Sequence, residues 1–432
     1  MRILALLAAV LAAVSLPHAP LGIGVSLTAM LIAMTAATAN LRSLDAALFG
    51  ALALALAFMP ALRDAGWVVA IDLVAAVALA AVAVAGPRVA ALLAPFRALD
   101  GVPELVPAGP PGGAAALRGL ALGAVVVLPF GGLFWSADAA FAELASSAGP
   151  DVSSLPSRVI VFVLVLGLAL GLALATKRAF PDPVVRAPSF GLAEWAIPLV
   201  LLDLLFLVFV AVQVTVLFGG HDHVLETSGL TYAEYARQGF WQLIAAAALT
   251  LVVVAAAART AHVRRPRERA LLRVLLGGLC VLTLVTVASA LHRLSLYEDA
   301  FGLTRPRLAA ETLSLALGGL FALVLIGGIL RLGRRQVVRA ALAGLALGLL
   351  AFSVSNPDGR VAQRNVDRWE RTGDLDIAYV QGLSADAVPA LAELPEPVRE
   401  LVLAPFRSRL DDDEPWTSAN YGRHQARDTL ER

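Results

Sequence analysis

The stretch IPLVLLDLLFLVFVAVQVTVLF, residues 197–218, carries a single charged side chain, Asp203, among residues that are mostly apolar. A helix of about 20 apolar residues is long enough to cross the hydrocarbon core of a bilayer. Backbone amides in hydrocarbon must be satisfied within the segment, which a helix does. The stretch also lacks the alternation of a membrane β-strand. It therefore predicts a transmembrane helix and decides the class of the protein.

Similar apolar stretches recur along the chain up to residue 355. They predict an all-α polytopic membrane protein with about eleven transmembrane helices and a small helical extracytoplasmic C-terminal tail. The first of them, in MRILALLAAVLAAVSL, is interpreted as a short span that stays in the protein. The predicted spans are 3–16, 22–39, 44–62, 66–85, 116–135, 158–176, 197–218, 239–258, 271–291, 311–330 and 337–355.

The composition supports this class and narrows the partners. Hydrophobic residues make up 59% of the chain and charged residues only 16%, with a mean hydropathy of +0.78. Water-soluble enzyme folds do not need so much apolar side chain. The net charge of +1 gives no indication of a nucleic-acid partner. The expected partner is the lipid bilayer. Cys280 is the only cysteine, which excludes an intramolecular disulfide, and the sequence predicts no cofactor.

Arginine-rich loops predict the orientation in the membrane. The basic loops alternate along the chain, and basic loops stay in the cytoplasm. They lie at 86–115, 177–196, 259–270 and 331–336. We therefore expect a multi-pass membrane protein with a cytoplasmic N-terminus and an extracytoplasmic C-terminus.

The same boundaries suggest a division into domains. The Gly/Pro-rich stretch AGPPGGAA, residues 108–115, is interpreted as part of a cytoplasmic linker. Beyond Arg409 the run DDDEPWTSAN and the polar end predict disorder. The predicted parts are a four-span bundle at 1–85, a linker at 86–115, a seven-span domain at 116–355, a small helical extracytoplasmic domain at 356–409 and a disordered tail at 410–432.

Four later segments carry a family resemblance. They are FWSADAAFAEL at 134–144, LTYAEYARQGFWQL at 230–243, LYEDAFGLTRPRL at 296–308 and NPDGRVAQRNVDRWERTGDLDIAYVQGLSADAVPAL at 356–391. Together, over roughly residues 115–395, they resemble the bacterial membrane families filed as domains of unknown function 4173 and 4153. The resemblance implies a multi-span bacterial membrane protein. It brings no activity or cofactor, so no catalytic residue is carried over.

Asp203 is the candidate intramembrane functional carboxylate. An unpaired carboxylate in hydrocarbon costs several kcal/mol or takes up a proton. It would therefore face the helix bundle, either handling protons or cations in a cavity or bonding to another helix, for example at Gln213 or Gln242. Asp72 lies near a predicted outer helix end, where partial solvation is expected.

Other polar groups are predicted to lie on the outer face. His221, Asp222 and His223 follow Gly219-Gly220 and form a candidate outer-face polar cluster. Their spacing matches no standard metal motif, so a solvated turn is preferred to a zinc site. Candidate partner or lipid-contact residues are Arg305, Arg307, Trp369 and Tyr379. For the two arginines, ordinary snorkelling or ion pairing is preferred to a binding role.

The sequence favours a non-enzymatic envelope protein that presents its C-terminal domain outside for protein contact or sensing. Another envelope or membrane protein would be the partner. The alternative is a secondary transporter or intramembrane enzyme that uses Asp203. A polar cavity reaching Asp203 would favour the alternative.

Overall fold

The computed structural model describes residues 2–17, 20–37, 43–86, 190–218, 240–410 and 414–432, with parts of 158–172. These residues form helices, turns and one isolated β-bridge between Phe190 and Ala261, and none of them lies in a strand. The predicted all-α class is confirmed.

The N-terminal helices are short or apolar throughout. Ser43 caps the third of them, because its side chain accepts a hydrogen bond from the Ala46 amide. They are α1 (Arg2–Ser15), α2 (Ile23–Ala37), α3 (Leu44–Ala57), α4 (Met59–Leu62) and α5 (Gly66–Ala85).

The central helices are long. The longest begins with Pro266 in its first turn, where the missing amide hydrogen costs nothing, and ends before Gly302 at a φ of 76°. They are α6 (Leu192–Phe218), α7 (Phe240–Thr260), α8 (Pro266–Phe301), α9 (Arg305–Ile329) and α10 (Arg334–Val354).

The C-terminal helices are short and amphipathic or broken by proline. They are α11 (Pro357–Thr372), α12 (Ile377–Gln381), α13 (Val388–Leu391), α14 (Val398–Leu410) and α15 (Tyr421–Leu430), with 3₁₀ turns at Ala385–Ala387 and Trp416–Ser418.

In the described part of the chain, seven helices are long and apolar enough to cross a membrane. Two shorter apolar helices, Ile3–Ser15 and Ile23–Thr35, accompany them. A membrane protein is therefore supported. The predicted total of eleven stays a prediction, because the span at 116–135 lies outside the described residues. The seven are Leu44–Leu62, Gly66–Val84, Leu192–Ala211, Phe240–Thr260, Pro266–Glu298, Arg305–Ile329 and Arg334–Val354.

The chain divides into two compact units, and the division cuts across the predicted domains. The first unit consists of Met1–Pro183, Leu349–Ala362 and Asp376–Arg432. The second consists of Val184–Gly348 and Gln363–Leu375. Most of the C-terminal segment therefore lies in the same compact unit as the N-terminal helices.

In the first unit, α3 packs against α5 and α1 against α2, while α13, α14 and α15 pack on one another. These C-terminal helices have a buried apolar core, so they form a folded domain. Its fully buried members include Val380, Leu383, Val388, Leu391, Leu394, Val402 and Phe406.

In the second unit, α8 lies at the centre and contacts α6, α7 and α9. Its core joins side chains from all four helices. Among them are Trp195, Leu199, Phe240, Ile244, Leu279, Val287, Leu317 and Phe321.

The structure differs from the predicted disorder beyond Arg409. Residues 421–430 form α15, which begins at an N-cap where the Asn420 side chain accepts a hydrogen bond from the Arg423 amide. Arg423 is buried and Ala426 fully so, which explains why this polar segment is ordered. The helix is held by buried charge pairs rather than by a long apolar stripe.

Candidate functional site

The turn between α4 and α5 exchanges hydrogen bonds with the 3₁₀ turn at Ala385–Ala387. The backbone amides of Asp64 and Ala65 donate to Oδ2 of Asp386 at 2.7 and 2.9 Å. In return, the Ala385 amide donates to Oδ2 of Asp64 at 3.0 Å. Each aspartate thus binds the backbone that carries the other. The Asp386 carboxylate also lies at the N-terminus of α5, where the helix dipole favours negative charge.

Arg423 of α15 completes this arrangement. Its Nη1 lies 2.6 Å from Oδ1 of Asp64, and its Nε lies 2.9 Å from Oε1 of Glu414. Nη2 donates to the carbonyls of Leu21 and Ser418. The side chain is only 5% exposed, so its charge is neutralised by carboxylates rather than by water. We call Asp64, Asp386, Glu414 and Arg423 the polar clasp.

Backbone contacts extend the polar clasp to the start of α2 and to α4. The Asn420 side chain donates to the Pro60 carbonyl at 2.7 Å, and the Ile23 amide donates to the Ala419 carbonyl at 3.0 Å. A Cβ at Gly22 would overlap the backbone of Ser418, so only glycine permits this approach. The end of the chain is therefore fixed to two helices of the first unit.

A second set of bonds lies where α10 ends and α11 begins. Asp358 accepts from Nε1 of Trp67 at 3.0 Å and from the Ser384 amide at 2.9 Å. Arg63 donates to the carbonyls of Ser353 and Val354. Arg63 thus satisfies carbonyls at the end of α10 that would otherwise need water or lipid headgroups, while Asp358 joins the start of α11 to Trp67 and Ser384.

The charge state of Asp386 is perturbed. Burial raises the pKa of this carboxyl from 3.8 to about 6, and the nearby Asp64 carboxylate also raises it. The bonds from the amides of Asp64 and Ala65, and the charge of Arg63, oppose that rise without cancelling it. The polar clasp therefore contains one carboxyl that changes charge in mildly acidic solution.

Asp203 lies on α6, half-buried, against α8. Its oxygens lie 3.8 and 4.0 Å from the position that a Cβ of Gly278 would occupy. Oδ1 is buried and has no hydrogen-bond partner among the described residues. The side chain thus faces a neighbouring helix, as predicted, and the missing side chain of Gly278 leaves the space for it. Whether it is functional stays a prediction.

The prediction for Asp72 was wrong. It is fully buried rather than partly solvated, and its Oδ1 accepts a hydrogen bond from the Ser353 hydroxyl at 2.8 Å. The last turn of α10 lies beside it, which a sequence pattern for α5 alone does not reveal.

Arg307 makes intramolecular contacts. Its Nη1 donates to the Phe301 carbonyl at 3.1 Å and to the Gly302 carbonyl, and its guanidinium lies 4.3 Å from the ring centroid of Tyr297. It thereby caps the end of α8. Arg305 is half-buried in the first turn of α9. Whether either arginine contacts lipid or a partner stays a prediction.

Trp369 and Tyr379 are half-buried, on α11 and α12. The predicted cluster of His221, Asp222 and His223 lies outside the described residues. Among the residues that the structure does describe, no three metal-ligating side chains lie together.

The residues of the polar clasp were missed by the sequence analysis. Asp64 sits in a three-residue turn, and Glu414 and Arg423 sit in a segment whose composition suggests disorder. The only local signal was Asn420 before the helical stretch YGRHQARDTL, which fits an N-cap.

The family is decided by a match over most of the chain. The model of the family described as Domain of unknown function (DUF4153) matches residues 3–394. The chain belongs to this family. The match includes the first four predicted spans, which the resemblance seen in the sequence did not cover. The match does not show membership of family 4173 or a bacterial origin. Neither a search of curated proteins nor a search of solved structures finds a match.

Proposed function

We propose that this DUF4153 protein is a non-enzymatic integral membrane protein of the bacterial envelope. It holds its C-terminal helical domain on the extracytoplasmic face of the plasma membrane, for contact with another envelope protein or for sensing. The polar clasp is the observation that carries this proposal, because it uses buried charges to fix the domain to membrane helices.

The arrangement of the clasp supports a rigid platform. Asp64 and Glu414 both pair with Arg423, and all three side chains are mostly buried. A buried charge pair is weak evidence for stability by itself, but it defines one docked position of the domain. Large apolar or aromatic side chains remain exposed on this fixed domain, and they offer a surface for a partner. Leu401 is 55%, Trp416 67% and Tyr421 55% exposed.

The predicted orientation supports an extracytoplasmic position. The C-terminal domain contacts Leu21, Ile23 and the turn at residues 63–65. The arginine alternation assigns these same segments to the outer side. In a Cys280→Ala background, an impermeant thiol reagent on intact cells should label Ser408→Cys and spare Arg267→Cys. Labelling at 267 without 408 would reverse the orientation.

Photo-crosslinking tests the contact function. A photoreactive residue at Leu401, in the full chain in its native membrane, should give a discrete protein adduct. Arg423→Gln, which undocks the domain, should abolish that adduct, whereas Arg427→Gln should retain it, because Arg427 contacts Glu414 but not Asp64. Adducts with lipid only, in both the parent and the variants, would contradict a protein-contact role.

The alternative function rests on Asp203, whose Oδ1 is buried without a hydrogen bond among the described residues. Intramembrane carboxylates of this kind mark proton or ion pathways in transporters. If Asp203 handles protons, proteoliposomes with an imposed pH gradient should show a proton flux, and Asp203→Asn should abolish it. Asp72→Asn is the matched control, since Asp72 is also a buried intramembrane carboxylate. Proton flux is followed with a pH-sensitive dye inside the vesicles. Equal dye responses in vesicles with the parent, with the variant and without protein would contradict the transporter function.

A further inference from the structure

A cleft in the second unit brings arginines together at the turn between α8 and α9. It is open to solvent. Three of its lining side chains come from α11, and the rest of the wall is the end of α8 and the turn that follows it. The lining residues are Glu298, Gly302, Leu303, Arg364, Arg368 and Arg371.

Local structure fixes the floor of this cleft. The Asn365 side chain donates to the Leu303 carbonyl at 2.7 Å, and Arg307 donates to the carbonyls of Phe301 and Gly302. A Cβ at Gly302 would lie 2.6 Å from Oδ1 of Asn365, so the close packing of α11 on this turn requires glycine. With these carbonyls already hydrogen-bonded, the guanidinium groups dominate the polar character of the cleft.

Helical spacing aligns the three arginines. Positions 364, 368 and 371 are four and three residues apart, so they share one face of α11. Arg364 and Arg371 are exposed, while Arg368 is 18% exposed and pairs with Asp374 at 3.6 Å. Asp374 is 75% exposed, so water screens this pair and its partner can change.

The charge of the lining is positive. Three guanidinium groups face one carboxylate, Glu298, and the nearby Asp374 offsets part of the charge of Arg368. The exposed Asp367 and Glu370 lie on the same helix, and Gln363 donates to Asp367 at 3.1 Å. Net positive charge with planar, forked donors suits a phosphate group, which arginine binds in a bidentate manner.

The position of the cleft indicates where the phosphate comes from. It lies at one end of α8 and α9, both candidate membrane spans. Tyr297 and Phe301 stack there with ring centroids 5.0 Å apart, and Phe301 is 51% exposed. Aromatic side chains at the end of a span are typical of the lipid headgroup level. We propose that this cleft binds a phosphate group, supplied by an anionic lipid headgroup or by a soluble phosphate ester.

Lipid retention by the full-length protein tests this proposal. The purified protein, exchanged into nanodiscs containing phosphatidylglycerol or phosphatidylcholine, is released and its retained lipid is counted by native mass spectrometry. The parent should retain phosphatidylglycerol over phosphatidylcholine. The double variant Arg364→Gln and Arg371→Gln should lose about tenfold or more of that preference, since each removes charge-assisted hydrogen bonds. Both side chains are exposed, so the variant should fold, which its melting temperature checks.

Arg360→Gln is the matched control, because Arg360 is an exposed arginine of the same helix that does not line the cleft. It should keep the preference of the parent. Titration with inorganic phosphate and glycerol 3-phosphate distinguishes a lipid headgroup from a soluble phosphate ester. If these compounds displace the lipid, or bind when no lipid is present, soluble phosphate also enters the cleft. If only lipid is retained, the site binds headgroups. Equal losses in the Arg360 variant would mean diffuse surface charge, and no loss in the double variant would mean that the cleft binds no phosphate. Either result would overturn the proposal.

Discussion

Carboxylates in the C-terminal domain and its docking turn have many partners, whereas those inside the membrane spans have few. Asp64 and Asp386 each accept backbone amides, and Asp64 also binds Arg423. Oδ1 of Asp386 has no hydrogen-bond partner among the described residues, but its Oδ2 accepts two amides. Asp72 has one hydroxyl partner for Oδ1, while its Oδ2 and Oδ1 of Asp203 have none among the same residues.

This difference follows from the surroundings of each group. Outside the spans, free backbone amides at turns and long arginine side chains are available as donors. Inside a span, the backbone amides are already used by the helix, so a carboxylate can find only another side chain. Well-paired carboxylates therefore hold the domain in place, and Asp203, whose Oδ1 has no hydrogen-bond partner among the described residues, is the place to look for proton or ion handling.

Arg423→Ala should have the largest effect on the docked domain. It leaves Asp64 and Glu414 buried without their shared cation, and breaking a buried ion pair in this way costs about 3–5 kcal/mol. Hydrogen exchange in residues 414–430 should rise by orders of magnitude in the purified full-length protein. Arg427→Ala is the control, because its side chain is 33% exposed and, among the described residues, it contacts Glu414 and the Leu410 carbonyl but not Asp64. Equal protection in the two variants would contradict the role given to the polar clasp.

Acidity should strengthen docking through Asp386. Its pKa is raised from 3.8 to about 6, mainly by burial, so the docked state holds a proton that the undocked state releases. This stabilisation is fully present below about pH 4 and is lost as the pH rises through about 6. A tenfold change in proton affinity corresponds to about 1.4 kcal/mol, so protonation of Asp386 stabilises the docked state by on the order of 3 kcal/mol.

The charged groups that face Asp386 are Asp64 and Arg63, both from the turn before α5. Asp386→Asn keeps an oxygen acceptor for the amides of that turn but cannot titrate. The slope of hydrogen-exchange protection between pH 4.5 and 7 should therefore flatten in this variant. An unchanged slope would assign the pH dependence to another group.

The sequence predicts well those features that depend on neighbouring residues. The last predicted span ends at residue 355, and α10 ends at Val354; Pro357 disfavours helix at Asn356, which has a φ of 55°. The next helix, α11, ends at Thr372, and Gly373 follows it at a φ of 75°, which is typical of a glycine C-cap. Both outcomes follow from local backbone preferences, which are visible in a few consecutive residues.

Features that depend on distant residues were missed. Arg423 and Asp64 are 359 residues apart in sequence, so composition near residue 423 suggests a solvated tail. The burial of Asp72 likewise depends on Ser353, 281 residues away. No periodicity within either segment carries this information, because a polar residue that is buried by a distant partner looks like one that is exposed.

Gly22→Ala should weaken docking without removing any charge. Its Cβ would overlap the Ser418 backbone, which is part of the 3₁₀ turn and cannot rotate away as a side chain could. Overpacking of this kind costs about 1–3 kcal/mol. Limited proteolysis should then remove the C-terminal segment faster than in the parent. Gly50→Ala has open space around its Cβ and should leave the rate unchanged, and faster cleavage in both variants would point to a general loss of stability.

Ser353→Ala should have the smallest effect, and it tests the membrane side of the comparison. It removes the one hydroxyl that donates to Asp72, at a cost of about 1 kcal/mol. We expect the apparent melting temperature in detergent to fall by a few degrees. Ser355→Ala is the matched control, because Ser355 is exposed and its hydroxyl donates to the nearby Phe352 carbonyl. If Asp72 were well paired by other groups, the two variants would melt together, and the contrast between paired and poorly paired carboxylates would then rest on Asp203 alone.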